Sequence, residues 1–107
     1  MQIAKKLDVV SNEIFKNCLI STLRVCILAS EEDEEPIICA TGPHAKYMVV
    51  FDPLDGSTNI DANVTIGTIF GIYKRKSDLT QAPEVNELYQ KGENQVAAGY
   101  CVYGPAT

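Results

Sequence analysis

Tyr47-Met48-Val49-Val50-Phe51-Asp52-Pro53-Leu54-Asp55-Gly56-Ser57-Thr58-Asn59 decides how this chain is read. Its first half is an apolar run of strand formers. Its second half breaks into turn residues. Pro53 lacks a backbone N–H, which predicts that the strand stops there. Gly56 permits a tight backbone approach. Ser57, Thr58 and Asn59 are N-cap types, so a short helical turn starting there would aim free N–H groups outward. Two carboxylates thus stand beside a segment suited to cradling an anion. Asp-Pro and Asp-Gly are also ordinary turn pairs, so the motif by itself reads equally well as a capped loop.

Working outward, Leu7, Val10, Ile14, Phe15, Cys18 and Leu19 recur at helical spacing, and a helix is expected from about Lys5 to Ser21. Asp8 falls in its first or second turn, where its plain role is to complement the helix dipole. Val25-Cys26-Ile27-Leu28-Ala29 reads as a buried strand and Ile37-Ile38-Cys39-Ala40 as a second, followed by a turn at Thr41-Gly42-Pro43-His44 with His44 at the surface. Val64 to Tyr73 reads as a long strand, in which Gly67 and Gly71 mark a bulge or a close backbone neighbour. Glu84 to Gln90 suits a helical turn, Gly92-Glu93-Asn94 reverses the chain, and Val96 to Tyr103 is a last strand. The fold class expected is α/β, a layered sandwich: a mixed sheet of about five strands with an N-terminal helix packed on it.

The 107 residues allow one domain or part of one, and an apolar fraction of 46% suits a globular chain. A net charge of −5 argues against nucleic acid or an anionic membrane as a non-specific partner. No apolar run approaches spanning length, and Met1 to Lys6 is too short and polar for a signal peptide, so the expected location is cytoplasmic. Cys18, Cys26, Cys39 and Cys101 form no CxxC pair and are expected as small buried hydrophobes.

Charge patterning then singles out Glu31-Glu32-Asp33-Glu34-Glu35. Such a run is ordinarily a solvated loop. At the end of a buried strand, its first two residues are candidates for a site. If that strand tip neighbours the one bearing Asp52 and Asp55, four carboxylates converge and repel one another unless a cation joins them. Hard oxygen ligands with no His or Cys nearby favour Mg²⁺ or Mn²⁺ over Zn²⁺. The Leu54 carbonyl is a further candidate ligand. A divalent cation beside a phosphate cradle suits phosphoryl transfer.

The D-P-L-D-G-S stretch with an upstream E-E resembles the lithium-sensitive, metal-dependent phosphatase superfamily. Longer stretches are similar to the fructose-1,6-bisphosphatases: Lys6 to Glu13, Ser30 to Asp33, Val50 to Asp61, Gly67 to Tyr73 and Val96 to Tyr100. The resemblance implies hydrolysis of the 1-phosphate of fructose 1,6-bisphosphate with Mg²⁺ or Mn²⁺, about two or three ions per site. It implies that Glu31, Glu32, Asp52, Leu54 and Asp55 bind metal, and that Asp8 and Glu32 activate the attacking water. Asp55, Gly56, Ser57 and Thr58 match the loop that holds the substrate phosphate. Lys46, Tyr47 and Lys74 match an allosteric AMP pocket, although Lys74 stands where many AMP-regulated members carry Arg. The resemblance further implies a homotetramer. It covers an internal part of the family's much longer chain: a partial N-terminal, metal- and phosphate-binding domain spanning residues 1–107, without the preceding helices and the C-terminal sugar-binding domain. Two other readings are a sister enzyme acting on sedoheptulose 1,7-bisphosphate or an inositol monophosphate, and a catalytically inert fragment.

Overall fold

A computed structural model describes residues 3–39, 44–55, 67–75, 88 and 94–102, with side chains from residue 6 onward except at 55. Helix α1 (Ile3–Ser21) precedes five strands: β1 (Val25–Ser30), β2 (Ile37–Ile38), β3 (Tyr47–Asp55), β4 (Gly67–Lys74) and β5 (Gln95–Val102). They form one sheet in the order β2-β1-β3-β4-β5. Neighbours β1 and β3 run parallel, and every other pair is antiparallel. The mixed α/β layer expected from the sequence is the one observed.

Pleat alternation divides the core. On one face Val25, Leu28, Val49 and Phe51 cluster, and Phe15 and Leu19 of α1 pack onto them. The Phe15 and Phe51 rings lie 6.0 Å apart, tilted by 48°. Cys26, Ile27, Ala45, Met48 and Tyr73 form a second cluster, against which Val50 and Leu88 pack. Of the expected apolar stripe of α1, only Phe15 and Leu19 dock on the central parallel pair; Leu7, Val10, Ile14 and Cys18 are exposed among the described residues. Leu23, in the turn after α1, adopts the left-handed region with φ of 60° and delivers the chain into β1.

Three expectations are corrected. Pro53 does not end its strand: β3 continues to Asp55, through an irregularity in its pairing with β4 between Asp52 and Asp55. The shift removes the need for a ladder donor at Pro53, which is where a sheet tolerates proline. Its carbonyl accepts from the Thr68 hydroxyl at 2.8 Å. The four cysteines are free, but only Cys26 is buried; Cys39 is half-buried, and Cys18 and Cys101 are exposed because they lie on the outer side of α1 and on the sheet edge. Asp8 does lie in the second turn of α1, within the expected bounds, but beyond the first turn where the dipole acts, so its expected dipole role is what is corrected.

Gly67 and Gly71 meet the expected close neighbours. A Cβ at Gly67 would overlap the Cys101 carbonyl oxygen, and one at Gly71 would meet the Gln95 amide and Val50. His44 is exposed in a turn, as expected. The helical turn expected at Ser57, the start of the β4 strand at residues 64–66, and most of the Glu84–Gln90 and Gly92–Asn94 expectations lie outside the described residues.

Candidate active site

The C-terminal tips of β1 and β3 lie side by side because the two strands are parallel and adjacent, the arrangement in which open α/β sheets present ligand-binding groups. Beyond Ser30, the Glu31 N–H donates to the Phe51 carbonyl at 2.9 Å, tying the start of the acidic run to β3. The Asp33 N–H donates back to the Ser30 carbonyl at 3.1 Å, and the Glu32 N–H donates to Ser30 Oγ at 3.2 Å. The run is thus a tight turn. Glu31 and Glu32 are exposed at its tip, while Asp33 folds back and accepts from Asn12 Nδ2 at 3.2 Å and Lys16 Nζ at 3.2 Å.

Glu32 reports the company it keeps. Partial burial pushes its carboxyl above the usual range, and the charges of Asp8, Asp52, Glu31 and Asp33 push it further the same way. Asp8 comes from α1 and Asp52 from β3, so carboxylates of three separate elements lie within electrostatic reach of Glu32. The Asp52 carboxylate is half-buried and accepts from the Leu54 N–H at 3.2 Å, which holds it at the β3 irregularity. On the face away from α1, a cavity of about 830 Å³ runs from Glu31 and Asp52 over Ala29, Val50, Ile69 and Ala98. Its mainly aliphatic lining offers few donors for a phosphate, whereas its acidic end leaves both carboxylates approachable.

The donor chemistry fits a divalent cation. Each charged neighbour acting on Glu32 is a carboxylate, and a cation of matching hardness relieves such repulsion. Among the described residues, no group of three or more His, Cys, Asp or Glu is placed so that it could hold a metal ion. Asp55 enters that region as the last residue of β3, paired with Gly67, with only its backbone described.

Residues 2–107 match the family model for the fructose-1,6-bisphosphatase N-terminal domain. The chain belongs to this family. It is 56% identical over 100 residues to the cytosolic fructose-1,6-bisphosphatase of Solanum tuberosum and 59% identical over 100 residues to that of Beta vulgaris. Each match takes in 94% of the chain and 29% of the relative, so the chain spans under a third of the length of these relatives. Among solved structures, the holo form of Leishmania major fructose-1,6-bisphosphatase aligns with a TM-score of 0.81 at 47% identity, covering 92% of this chain and 32% of that one.

Within this fructose-1,6-bisphosphatase domain, the charges of Asp8, Glu31 and Asp52 all act on Glu32, whereas Gly56, Ser57 and Thr58 lie outside the described residues. Leu54 is buried at the same strand end. Lys46, Tyr47 and Lys74 gather at the opposite end of the sheet: Tyr47 pairs with Lys74 in the β3–β4 register, and the Arg75 N–H donates to the Lys46 carbonyl at 2.7 Å. The sequence reading passed over Asn12, Lys16, Ser30 and Asp33, which brace the acidic turn against α1. The one available signal was Asn12, a polar residue on the inward stripe of an amphipathic helix.

Proposed function

We propose that this chain forms the cation- and phosphate-binding part of a fructose-1,6-bisphosphatase that hydrolyses the 1-phosphate of fructose 1,6-bisphosphate, a step of gluconeogenic sugar metabolism in the cytosol. The carrying observation is the adjacency of the parallel β1 and β3 tips, with the charges of Asp8, Glu31 and Asp52 all acting on Glu32. The names of the relatives support the substrate and the location, and the match to under a third of their length makes the remaining chain part of the reading. Among the described residues no helix is long and apolar enough to cross a membrane.

In this reading Glu31, Glu32, Asp52, the Leu54 carbonyl and Asp55 would hold Mg²⁺ or Mn²⁺. When bound, these ions would neutralise phosphoryl oxygens and acidify the attacking water. Asp8 and Glu32 would share the proton given up by that water as its oxygen bonds to phosphorus, while the bond from phosphorus to the sugar oxygen breaks and the departing oxygen takes up a proton from solvent. Proton acceptance by a positioned carboxylate is typically worth 10²–10⁴-fold. Asp55, the Gly56 N–H, Ser57 and Thr58 hold the phosphate in line. Lys46, Tyr47 and Lys74, distant from the strand tips, would receive AMP as an allosteric inhibitor, and the complete protein would assemble as a homotetramer.

Asp52→Asn in the full-length chain tests the reading. Mg²⁺-dependent phosphate release from fructose 1,6-bisphosphate should fall by roughly 10²-fold or more, since a charged ligand is lost at the site of charge stabilisation. Undiminished release would remove the basis for the assignment. The 107 residues alone are expected to give no turnover.

A further inference from the structure

Ser30 and Asn12 are out of character with their surroundings. Ser30 continues the strand face that carries Leu28, and Asn12 lies one turn before Phe15 on the buried side of α1. Ser30 is 9% exposed and Asn12 5%. Burying neutral polar groups there is unfavourable unless each is matched, and an aliphatic pair would pack without that demand. Both are matched, and through one hydroxyl. Ser30 Oγ donates to Asn12 Oδ1 in a short hydrogen bond and accepts the Glu32 N–H at 3.2 Å. Asn12 Nδ2 passes the connection on to Asp33 Oδ1 at 3.2 Å. The hydroxyl thus joins α1, which bears Asp8, to the turn that bears Glu31 and Glu32.

We infer that Asn12 and Ser30 are positioning residues that lock the Glu31–Glu32 turn onto α1 and hold Glu32 facing Asp8 in the geometry a divalent cation requires. The inference rests on the function proposed above and names part of the support of that same site. Partners that orient metal-binding carboxylates without touching the ion typically set metal affinity by 10–100-fold.

The test uses Mn²⁺ as the probe, titrated by electron paramagnetic resonance into the full-length chain and read without turnover. In the double variant Asn12→Leu with Ser30→Ala, both ends of the Ser30–Asn12 bond become apolar. Asp33 keeps Lys16 and the Glu32 N–H, on an exposed turn, can turn to water, so the chain should stay folded. Mn²⁺ binding should nonetheless weaken by roughly 10-fold or more. Ser30→Thr, which keeps the hydroxyl, should bind as the parent does while Ser30→Ala alone does not, and this pair decides the matter if the double variant fails to fold. Mn²⁺ affinity within about twofold of the parent in a folded Ser30→Ala chain, or loss of affinity in Ser30→Thr equal to that in Ser30→Ala, would overturn the inference. A parent chain that binds Mn²⁺ in this hydroxyl-dependent way but releases no phosphate from fructose 1,6-bisphosphate would sink the proposed function and leave the positioning role standing.

Discussion

Lys16 keeps only 18% of its side chain exposed and bridges Glu13 at 3.1 Å and Asp33 at 3.2 Å. The bond to Glu13 is the main influence raising its pKa above 10.5; the Asp33 carboxylate acts the same way, against an opposing effect of burial. A lysine whose pKa is higher folded than unfolded adds stability in full below the unfolded value, and that stability is lost as pH rises through the folded value. Lys16→Met should therefore cost about 1 kcal/mol at neutral pH, and the gap from the parent should close once the pH passes above the raised lysine pKa. Urea unfolding at neutral and strongly alkaline pH measures this; a gap of constant size would show that aliphatic packing, not charge, is what Lys16 contributes. At the same scale the sequence was only partly legible. Glu31, Glu32 and Asp52 could be picked out because buried strands ending in acid are uncommon, whereas Asp8, on a helix, was singled out only through the family resemblance. The Asp33–Asn12–Ser30 links join residues 18 to 21 positions apart, a relation that depends on how α1 sits on β1 and has no local signature.

At the level of elements, period and composition carried the reading a long way. The helical stripe of α1 and the apolar runs of β1, β3, β4 and β5 fall where the patterns place them. Pro53 was misread because a missing donor ends a strand only where the ladder demands one, and the shift of register between Asp52 and Asp55 lifts that demand. Opposite this shift, Gly67 is confined by backbone, since a Cβ there would strike the Cys101 carbonyl. Gly71 is confined chiefly by the movable end of Gln95, with Val50 Cγ2 at 3.3 Å. Gly67→Ala should accordingly cost about 1–3 kcal/mol, the range for overpacking, and Gly71→Ala distinctly less. Thermal unfolding of the two variants decides it, and equal losses would count against the close β4–β5 approach described here.

For the whole molecule, the decisive feature is an unshielded flank. Among the described residues β5 pairs on one side only, with β4, and it carries no charge from Gln95 to Val102. Val96 and Val102 are each 55% exposed along it. An uncharged edge of this length is a template for another strand. The 107-residue polypeptide by itself should self-associate in the micromolar range, and Val96→Lys should shift it toward monomer in sedimentation velocity. A parent polypeptide that stays monomeric throughout would mean that the flank is protected by something other than strand pairing.

The route of the chain between its two acidic strand tips has a quieter consequence. From the Glu31–Glu32 turn the backbone does not pass directly to β3; it first swings out to β2, on the far margin of the sheet, anchored there by the Cys39 N–H on the Cys26 carbonyl at 2.8 Å. The carboxylates owe their spacing to the parallel ladder between β1 and β3 and not to the length of this detour. Residues added or removed along it should leave Glu31, Glu32 and Asp52 where they are, because loop-closure cost grows slowly with length and the ladder stays intact. The chain thus keeps its slack away from its chemistry.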